Sequence, residues 1–181
     1  HIQNGGFDKD FLMLYGDTEK AQKRYYDACC EFEKIYPKSS DIRIFSAPGR
    51  TEVGGNHTDH QHGCVLAGGV DMDVIAIVSL NGENVVRIKS QGYDMDTVDL
   101  SSLESCENEK GYAISLIRGV CHKFDEMGVK LCGFNAYTTS NVLKGSGLSS
   151  SAAFEVLVSN ILNGLFAEGK VSPIEIAKIS Q

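Results

Sequence analysis

Two stretches of the chain concentrate residues that could bind a charged or polyhydroxylated small molecule. The first runs from Lys144 to Ala153 and reads Lys-Gly-Ser-Gly-Leu-Ser-Ser-Ser-Ala-Ala. Its glycines let main-chain N–H groups approach a ligand, its serines offer hydroxyl groups, and the helix expected after it would add a positive dipole end. A glycine turn with one serine N-cap is the plainer interpretation. Three consecutive serines exceed what a cap requires, so we favour a polyphosphate site.

The second stretch runs from Ala47 to His60 and places Arg50 ahead of a Gly54-Gly55 turn and the polar run Asn56 to Asp59. Carboxylate, amide and imidazole groups can donate to and accept from several hydroxyl groups at once, which suits a polyhydroxylated ligand. A zinc site is disfavoured because the histidine spacing is not that of a helix face and no downstream Cys/His pair completes it. A surface ion pair of Arg50 and a solvated turn remain alternative interpretations.

Composition limits the classes of partner. A net charge of -7 has the wrong sign for binding a nucleic-acid backbone or an anionic membrane, so neither is an expected partner. No apolar run approaches the roughly 20 residues of a membrane-spanning helix. The cysteines form no C-x-x-C pair, and we expect them to be reduced thiols of a cytoplasmic protein. They are Cys29, Cys30, Cys64, Cys106, Cys121 and Cys132.

Periodicity predicts the elements that position these stretches. An amphipathic helix is expected over Thr18 to Tyr36 behind an Asp17 or Thr18 cap, and a strand from Asp41 is expected to break at Ala47-Pro48-Gly49. The remaining predictions are a hairpin of Val70–Leu80 and Val85–Lys89 around Asn81-Gly82, a strand at Asp94–Leu100, a helix at Tyr112–Met127 closed by Gly128, a strand at Leu131–Thr139, and a helix at Ala152–Glu168 stopped by Gly169.

This order of elements predicts an α+β fold, with a mixed or mostly antiparallel sheet and helices packed on one face. Near the end of the chain, Ser172-Pro173-Ile174-Glu175 combines an N-cap serine, proline at the first helical position and glutamate at the third. We therefore expect a helix that starts near Pro173. Because the sequence stops soon afterwards, we expect this helix to be truncated.

The two polar stretches together resemble a known family. Pro48-Gly49-Arg50 through Gly55-Asn56-His57-Thr58-Asp59 resembles the galactokinase signature, and Gly145 to Ala153 resembles the phosphate loop of the galactokinase, homoserine, mevalonate and phosphomevalonate kinase superfamily. The resemblance implies the ribosomal-protein-like, two-layer amino-terminal lobe of such kinases. It also implies that residues 1–181 form this lobe of a two-lobe sugar kinase whose carboxy-terminal lobe is absent.

The resemblance implies an activity and roles for individual residues. The activity is ATP-dependent phosphorylation of galactose at the C1 hydroxyl, with Mg²⁺. Arg50 would lie by the anomeric hydroxyl and the transferring phosphoryl group, and a serine, Ser151, would lie near the metal ion. Sugar hydroxyls would be bound by Asn56, His57 and Asp59, and the ATP phosphates by Gly145, Ser146, Gly147, Leu148, Ser149, Ser150 and Ser151. The family's catalytic base, an aspartate, has no counterpart in this chain and is expected beyond its end, so the chain alone is expected to be inactive.

Some positions depart from the commonest galactokinase pattern. Asn56 stands where that pattern has glutamate and His60 where it has tyrosine, so a charge near the sugar hydroxyls is removed. Because sugar contacts expected outside this chain also set specificity, a kinase for another sugar, such as N-acetylgalactosamine or arabinose, remains an alternative. A non-catalytic regulator that binds galactose and ATP is a second alternative. A plain interaction domain is disfavoured because two ligand-type loops would then need two coincidences.

Overall fold

A five-stranded mixed sheet organises the chain in the computed structural model, which describes residues 1–55, 64–142 and 147–180. The strands are β1 (Arg43–Gly54), β2 (Leu66–Leu80), β3 (Val85–Ser90), β4 (Met95–Asp99) and β5 (Phe134–Ser140). The helices are α1 (Asp8–Tyr15), α2 (Thr18–Ile35), α3 (Ala113–Glu126), α4 (Ser150–Phe166) and α5 (Pro173–Ile179), with short 3₁₀ turns at Ile2–Asn4 and Glu107–Glu109. Within the described ranges, no helix is long and apolar enough to cross a bilayer.

The strands lie in the order β1-β2-β5-β3-β4. Neighbouring strands are antiparallel except β3 and β5, which are parallel, so the prediction of a mixed sheet is confirmed. The predicted hairpin of β2 with β3 is wrong, because β5 lies between them. The Asn81-Gly82 turn does exist, but the Asn81 side chain donates to Val85 O at 2.9 Å and to Asn135 Oδ1 on β5 at 3.1 Å. The turn therefore connects β2 and β3 along the chain without pairing them, and its Asn81 side chain contacts the intervening β5.

Helices cover both faces of the sheet, which corrects the expectation of helices on one face. On β2, Ile75 and Ile77 pack in a cluster with Phe11 of α1 and Phe32 of α2. The intervening residues of β2 pack in a larger cluster with α3 and α4; this cluster includes Val74, Ala76, Val78, Ile117, Phe124, Leu157 and Ile161. Every residue from Asp73 to Ser79 is buried. A strand buried on both faces lacks the alternation of polar and apolar residues that a half-exposed strand has. This run of β2 is accordingly mostly apolar and shows no such alternation.

β1 continues through the predicted break at Ala47-Pro48-Gly49 and ends at Gly54. Proline is tolerated there because β1 is an edge strand of the sheet and a missing N–H leaves no ladder bond unmade on its open side. The register with β2 shifts between Pro48 and Arg50, which is a bulge-type irregularity. The polar residues that follow Pro48 are therefore carried by a strand with a local distortion.

The helix ends agree with the sequence signals. Asp17 Oδ1 accepts from Lys20 N at 3.1 Å and caps α2, and Gly128 adopts a left-handed φ of 79° after α3. Ser172 Oγ accepts from Glu175 N at 3.3 Å and caps α5. α4 begins at Ser150, two residues before the predicted start. Local capping chemistry is thus enough to place most of these helix boundaries.

Candidate functional site

The two polar stretches meet in the fold, at the end of the sheet where β1 distorts. The main-chain N–H of Arg50 donates to Leu148 O at 3.3 Å, which joins the first stretch to the second directly. A Cβ atom on Gly49 would lie 3.2 Å from Val142 Cγ2 and 3.3 Å from Leu148 O. Glycine at this position therefore allows β1 to approach the loop that precedes α4 more closely than any side chain would.

We call the part of the Lys144–Ala153 stretch that precedes α4 the glycine–serine loop. Its described residues, from Gly147 on, turn sharply into α4. Gly147 has φ 75°, and Ser149, the N-cap residue, has φ 55° and ψ 59°. A left-handed conformation is favourable for glycine but costs a serine roughly 1 kcal/mol. The Ser149 side chain makes no capping hydrogen bond, although such a bond is the usual reason for a serine at this position. The loop geometry is thus maintained by its surroundings and not by a serine cap.

The start of α4 offers hydrogen-bond donors to an anion. The first N–H groups of a helix have no intrahelical acceptor, and the first turn of α4 contains no acidic residue that would repel an anion. Ser149 and Ser150 are half-buried, whereas the side chain of Ser151 is exposed. One turn later, partial burial raises the pKa of Glu155 above its usual range. This helix end can therefore accept a negatively charged group.

The structure describes only part of each predicted residue set. Arg50, Gly147, Leu148, Ser149, Ser150 and Ser151 lie in the described ranges and are brought together by the contact of β1 with the loop. The sugar-binding candidates Asn56, His57 and Asp59 lie outside the described residues, as do Gly145 and Ser146 of the phosphate loop. Among the described residues, no group of three or more His, Cys, Asp or Glu side chains could hold a metal ion.

A buried polar cluster behind this site was missed by the sequence analysis. Asp73 of β2 is 3% exposed, and its carboxylate accepts hydrogen bonds from Arg24 Nη1 at 2.5 Å, Tyr15 Oη at 2.6 Å and Ser46 Oγ at 2.5 Å. Burial is the main cause that raises the pKa of Tyr15, and the hydrogen bond to Asp73 raises it further. The available signal was Asp73 at the start of the apolar run of β2, since a buried carboxylate requires partners. We call Tyr15, Arg24, Ser46 and Asp73 the Asp73 cluster.

Comparison with known proteins independently supports the family resemblance of the two polar stretches. Residues 30–80 match the galactokinase galactose-binding signature, and residues 112–181 match the amino-terminal domain of GHMP kinases. The galactokinase of Clostridium tetani is 31% identical over 152 residues, and that of Lacticaseibacillus casei is 33% identical over 148 residues. These alignments cover 83% and 81% of this chain and 38% of each relative, so the chain spans well under half of their length.

A solved structure shows the same fold. The galactokinase of Lactococcus lactis, crystallised with galactose, superposes with a TM-score of 0.75 at 24% sequence identity. The match covers 83% of this chain and 39% of that one. The shared part is the amino-terminal lobe of the kinase, which agrees with the α+β lobe predicted from the sequence.

Proposed function

Because this chain belongs to the galactokinase family of GHMP kinases, we propose that the protein containing it transfers the γ-phosphoryl group of ATP to the C1 hydroxyl of galactose. GHMP kinases use ATP as a substrate. The observation that carries the proposal is the hydrogen bond from Arg50 N to Leu148 O at 3.3 Å. It places the residue expected beside the reacting sugar hydroxyl next to the loop expected to bind the phosphates, as phosphoryl transfer requires.

Positioning and charge stabilisation supply most of the rate in phosphoryl transfer, since the protein does little covalent chemistry. The glycine–serine loop and the start of α4 would bind the phosphates through main-chain N–H groups and the dipole end of the helix. Arg50 would stabilise the transferring group, because its guanidinium stays charged and offers several donors. The contact between Arg50 and Leu148 would keep Arg50 close to the loop that binds the phosphates.

The exposed Ser151 hydroxyl is a hard oxygen donor of the kind that Mg²⁺ accepts. When bound with ATP, the ion would neutralise developing charge on the phosphates. We assign Asn56, His57 and Asp59 to the sugar hydroxyls. We propose that the catalytic aspartate and the remaining sugar contacts lie in the part of the complete gene product that follows residue 181, because relatives of this chain are more than twice its length. The cysteines are all free thiols, which supports a cytoplasmic location.

The experiment that tests the activity uses the complete gene product with MgATP and a panel of sugars. We expect galactose-dependent ADP release and a product phosphorylated at C1, detected by phosphorus NMR. Arg50→Ala should lower kcat by roughly 100- to 1000-fold, the usual effect of removing a donor to developing charge. Arg43→Ala is the matched control, because Arg43 lies at the other end of β1 and donates to Gly164 O at 3.2 Å. That variant should retain kcat within about twofold.

Each other outcome of the panel has a clear meaning. Preference for N-acetylgalactosamine or arabinose would replace galactose by another sugar and leave the phosphoryl transfer intact. Binding of sugar and nucleotide without ADP release would support the non-catalytic regulator. Equal losses of kcat in the Arg50 and Arg43 variants would contradict the role of Arg50.

A further inference from the structure

The Asp73 cluster ties four separate segments together at one point. Through its carboxylate, Asp73 contacts Tyr15 at the end of α1, Arg24 in α2 and Ser46 in β1. Its main-chain carbonyl accepts from Asn141 N, just after β5, at 3.0 Å and from Arg24 Nη2 at 3.1 Å. The same Arg24 nitrogen lies 3.4 Å from Thr139 O of β5. Arg24 therefore holds the main chain of two neighbouring strands as well as a carboxylate.

The segments that the Asp73 cluster joins include those that carry the candidate site. Asp73 pairs with Pro48 across the sheet, and Pro48 is two residues before Arg50. Asn141 is followed by Val142, whose side chain lies against Gly49. The Asp73 cluster is thus directly behind the point where β1 and the segment leading to the glycine–serine loop come together. A shift of either strand end would change the distance between Arg50 and Leu148.

Stability alone does not account for such a cluster. A buried ion pair loses the hydration of both charges and is on average no better for stability than apolar residues of the same volume. The Arg24–Asp73 pair is mostly buried, with side chains 17% and 4% exposed. Arg24 Nε is also buried without a hydrogen-bond partner among the described residues. What the pair provides is a fixed geometry, because the planar guanidinium fork contacts a carboxylate and two carbonyls at once.

We propose that Arg24 is a positioning residue for phosphoryl transfer, which fixes the middle of β2 at Asp73 against the end of β5 so that Arg50 and the glycine–serine loop stay aligned. In this role Arg24 would act through the strands and not by contact with a substrate. The proposal rests on the proposed kinase activity for its catalytic consequence, whereas the alignment itself can be measured without any activity. An error of about 1 Å in the position of a reacting group can cost on the order of 100-fold in rate, which sets the size of the expected effect.

The test compares Arg24→Lys with Arg118→Lys in the complete gene product. Lysine keeps the positive charge beside Asp73 but cannot contact the carboxylate and both carbonyls. Arg118 of α3 is a matched control. Its side chain is 13% exposed and donates twice to Glu109 and once to Ser102 O, and α3 packs near the opposite edge of the sheet. Both variants should lose similar stability, since each loses some of the hydrogen bonds that a mostly buried guanidinium group makes.

The first readout is the hydrogen exchange of the Arg50 amide, which donates to Leu148 O. Arg24→Lys should accelerate this exchange roughly tenfold or more relative to the wild type, and Arg118→Lys should leave it unchanged. The second readout is kinetic. Arg24→Lys should lower kcat roughly 10- to 100-fold while the dissociation constants of ATP and galactose stay within about threefold, and Arg118→Lys should have a normal kcat.

Unchanged exchange of the Arg50 amide in Arg24→Lys would overturn the proposal, whatever the activity. Equal effects of both variants on exchange, or a loss of kcat that only follows the folded fraction, would also overturn it. A wild-type protein that phosphorylates none of the sugars tested would refute the proposed function instead. In that case the exchange of the Arg50 amide still decides whether Arg24 aligns the two stretches.

Discussion

Arg24 with Asp73 and Arg118 with Glu109 are two mostly buried ion pairs of similar chemistry in different regions of the molecule. The side chains of the first pair are 17% and 4% exposed, and those of the second are 13% and 15% exposed. Each arginine also donates to a main-chain carbonyl. They differ in reach, because the partners of the first pair are 49 residues apart and those of the second are 9 apart.

The difference in reach decides what each pair can do. Arg118 fastens the segment just before α3 to that helix, and its hydrogen bonds hold the pKa of Glu109 below its usual range. Arg24 fastens α2 to strands that are distant in sequence and carry the candidate site. An ion pair that joins local segments stabilises one boundary, whereas a pair that joins distant segments can set the geometry between two functional loops.

Removing the carboxylate of each pair should give the largest contrast. Asp73→Ala should lower the free energy of unfolding by about 3 to 5 kcal/mol, because Arg24 becomes an unpaired buried charge. Tyr15 and Ser46 lose an acceptor in the same variant. Glu109→Ala should cost less, since the Glu109 side chain is 15% exposed against 4% for Asp73 and Arg118 is therefore left in a better solvated place.

Urea unfolding followed by circular dichroism measures both losses. The aspartate variant should therefore unfold at a markedly lower urea concentration than the glutamate variant. If both variants lost equal stability, or the glutamate variant lost more, the two pairs would not differ in the way their hydrogen bonds suggest.

A smaller contrast exists between the two ends of α4. Ser149 precedes the helix with φ 55° and Glu168 follows it with φ 54°, so both are non-glycine residues in the left-handed region. Ser149→Gly and Glu168→Gly should each change the free energy of unfolding by no more than about 1 kcal/mol, because relief of strain is offset by the greater freedom of the unfolded chain.

Only the serine variant should change function. Ser149→Gly should lower kcat/KM for ATP roughly tenfold, because the loop at the start of α4 loses a hydroxyl and part of its rigidity. Steady-state kinetics at saturating galactose measure this value, with Glu168→Gly as the control. A normal kcat/KM in the serine variant would argue against phosphate binding at this helix end.

The smallest effect concerns two cysteines that report on the helices carrying the two arginines. Burial raises the pKa of Cys29 in α2 to about 11 and that of Cys121 in α3 to about 12. The thiolate is the reactive form, so a raised pKa slows alkylation at a given pH. Of Cys132, Cys29 and Cys121, we expect the exposed Cys132 to react first at pH 9, Cys29 next and Cys121 last.

Mass spectrometry after timed iodoacetamide treatment gives the order of reaction. Raising the pH above 9 should accelerate both cysteines, and the rate of Cys29 should level off first, because the lower of the two pKa values is reached first. In Arg24→Lys, Cys29 should react faster and Cys121 should not. Faster reaction of both cysteines in that variant would indicate general loosening instead of a local effect on α2.

Much of the candidate site could be predicted from residue types alone. Glycine, serine and arginine at these spacings predicted two ligand-binding stretches, and Arg50 does lie beside Leu148 of the glycine–serine loop in the fold. The hydrogen bond from Arg50 to Leu148 could not be predicted, because it joins main-chain atoms of segments that are distant in sequence. The partners of Asp73 were hidden for the same reason, although an aspartate at the start of an apolar run showed that partners must exist.

By itself, the sequence determined most of the boundaries of α2 to α5 and the approximate position of each strand. Those features depend on neighbours within a few residues, such as the Asp17 cap of α2, the left-handed Gly128 after α3 and the Ser172 cap of α5. The tertiary structure decided that β5 enters between β2 and β3, that helices cover both faces of the sheet, and that Arg24 meets Asp73. These outcomes depend on which distant surfaces bury each other, and periodicity along one segment carries no record of its partner.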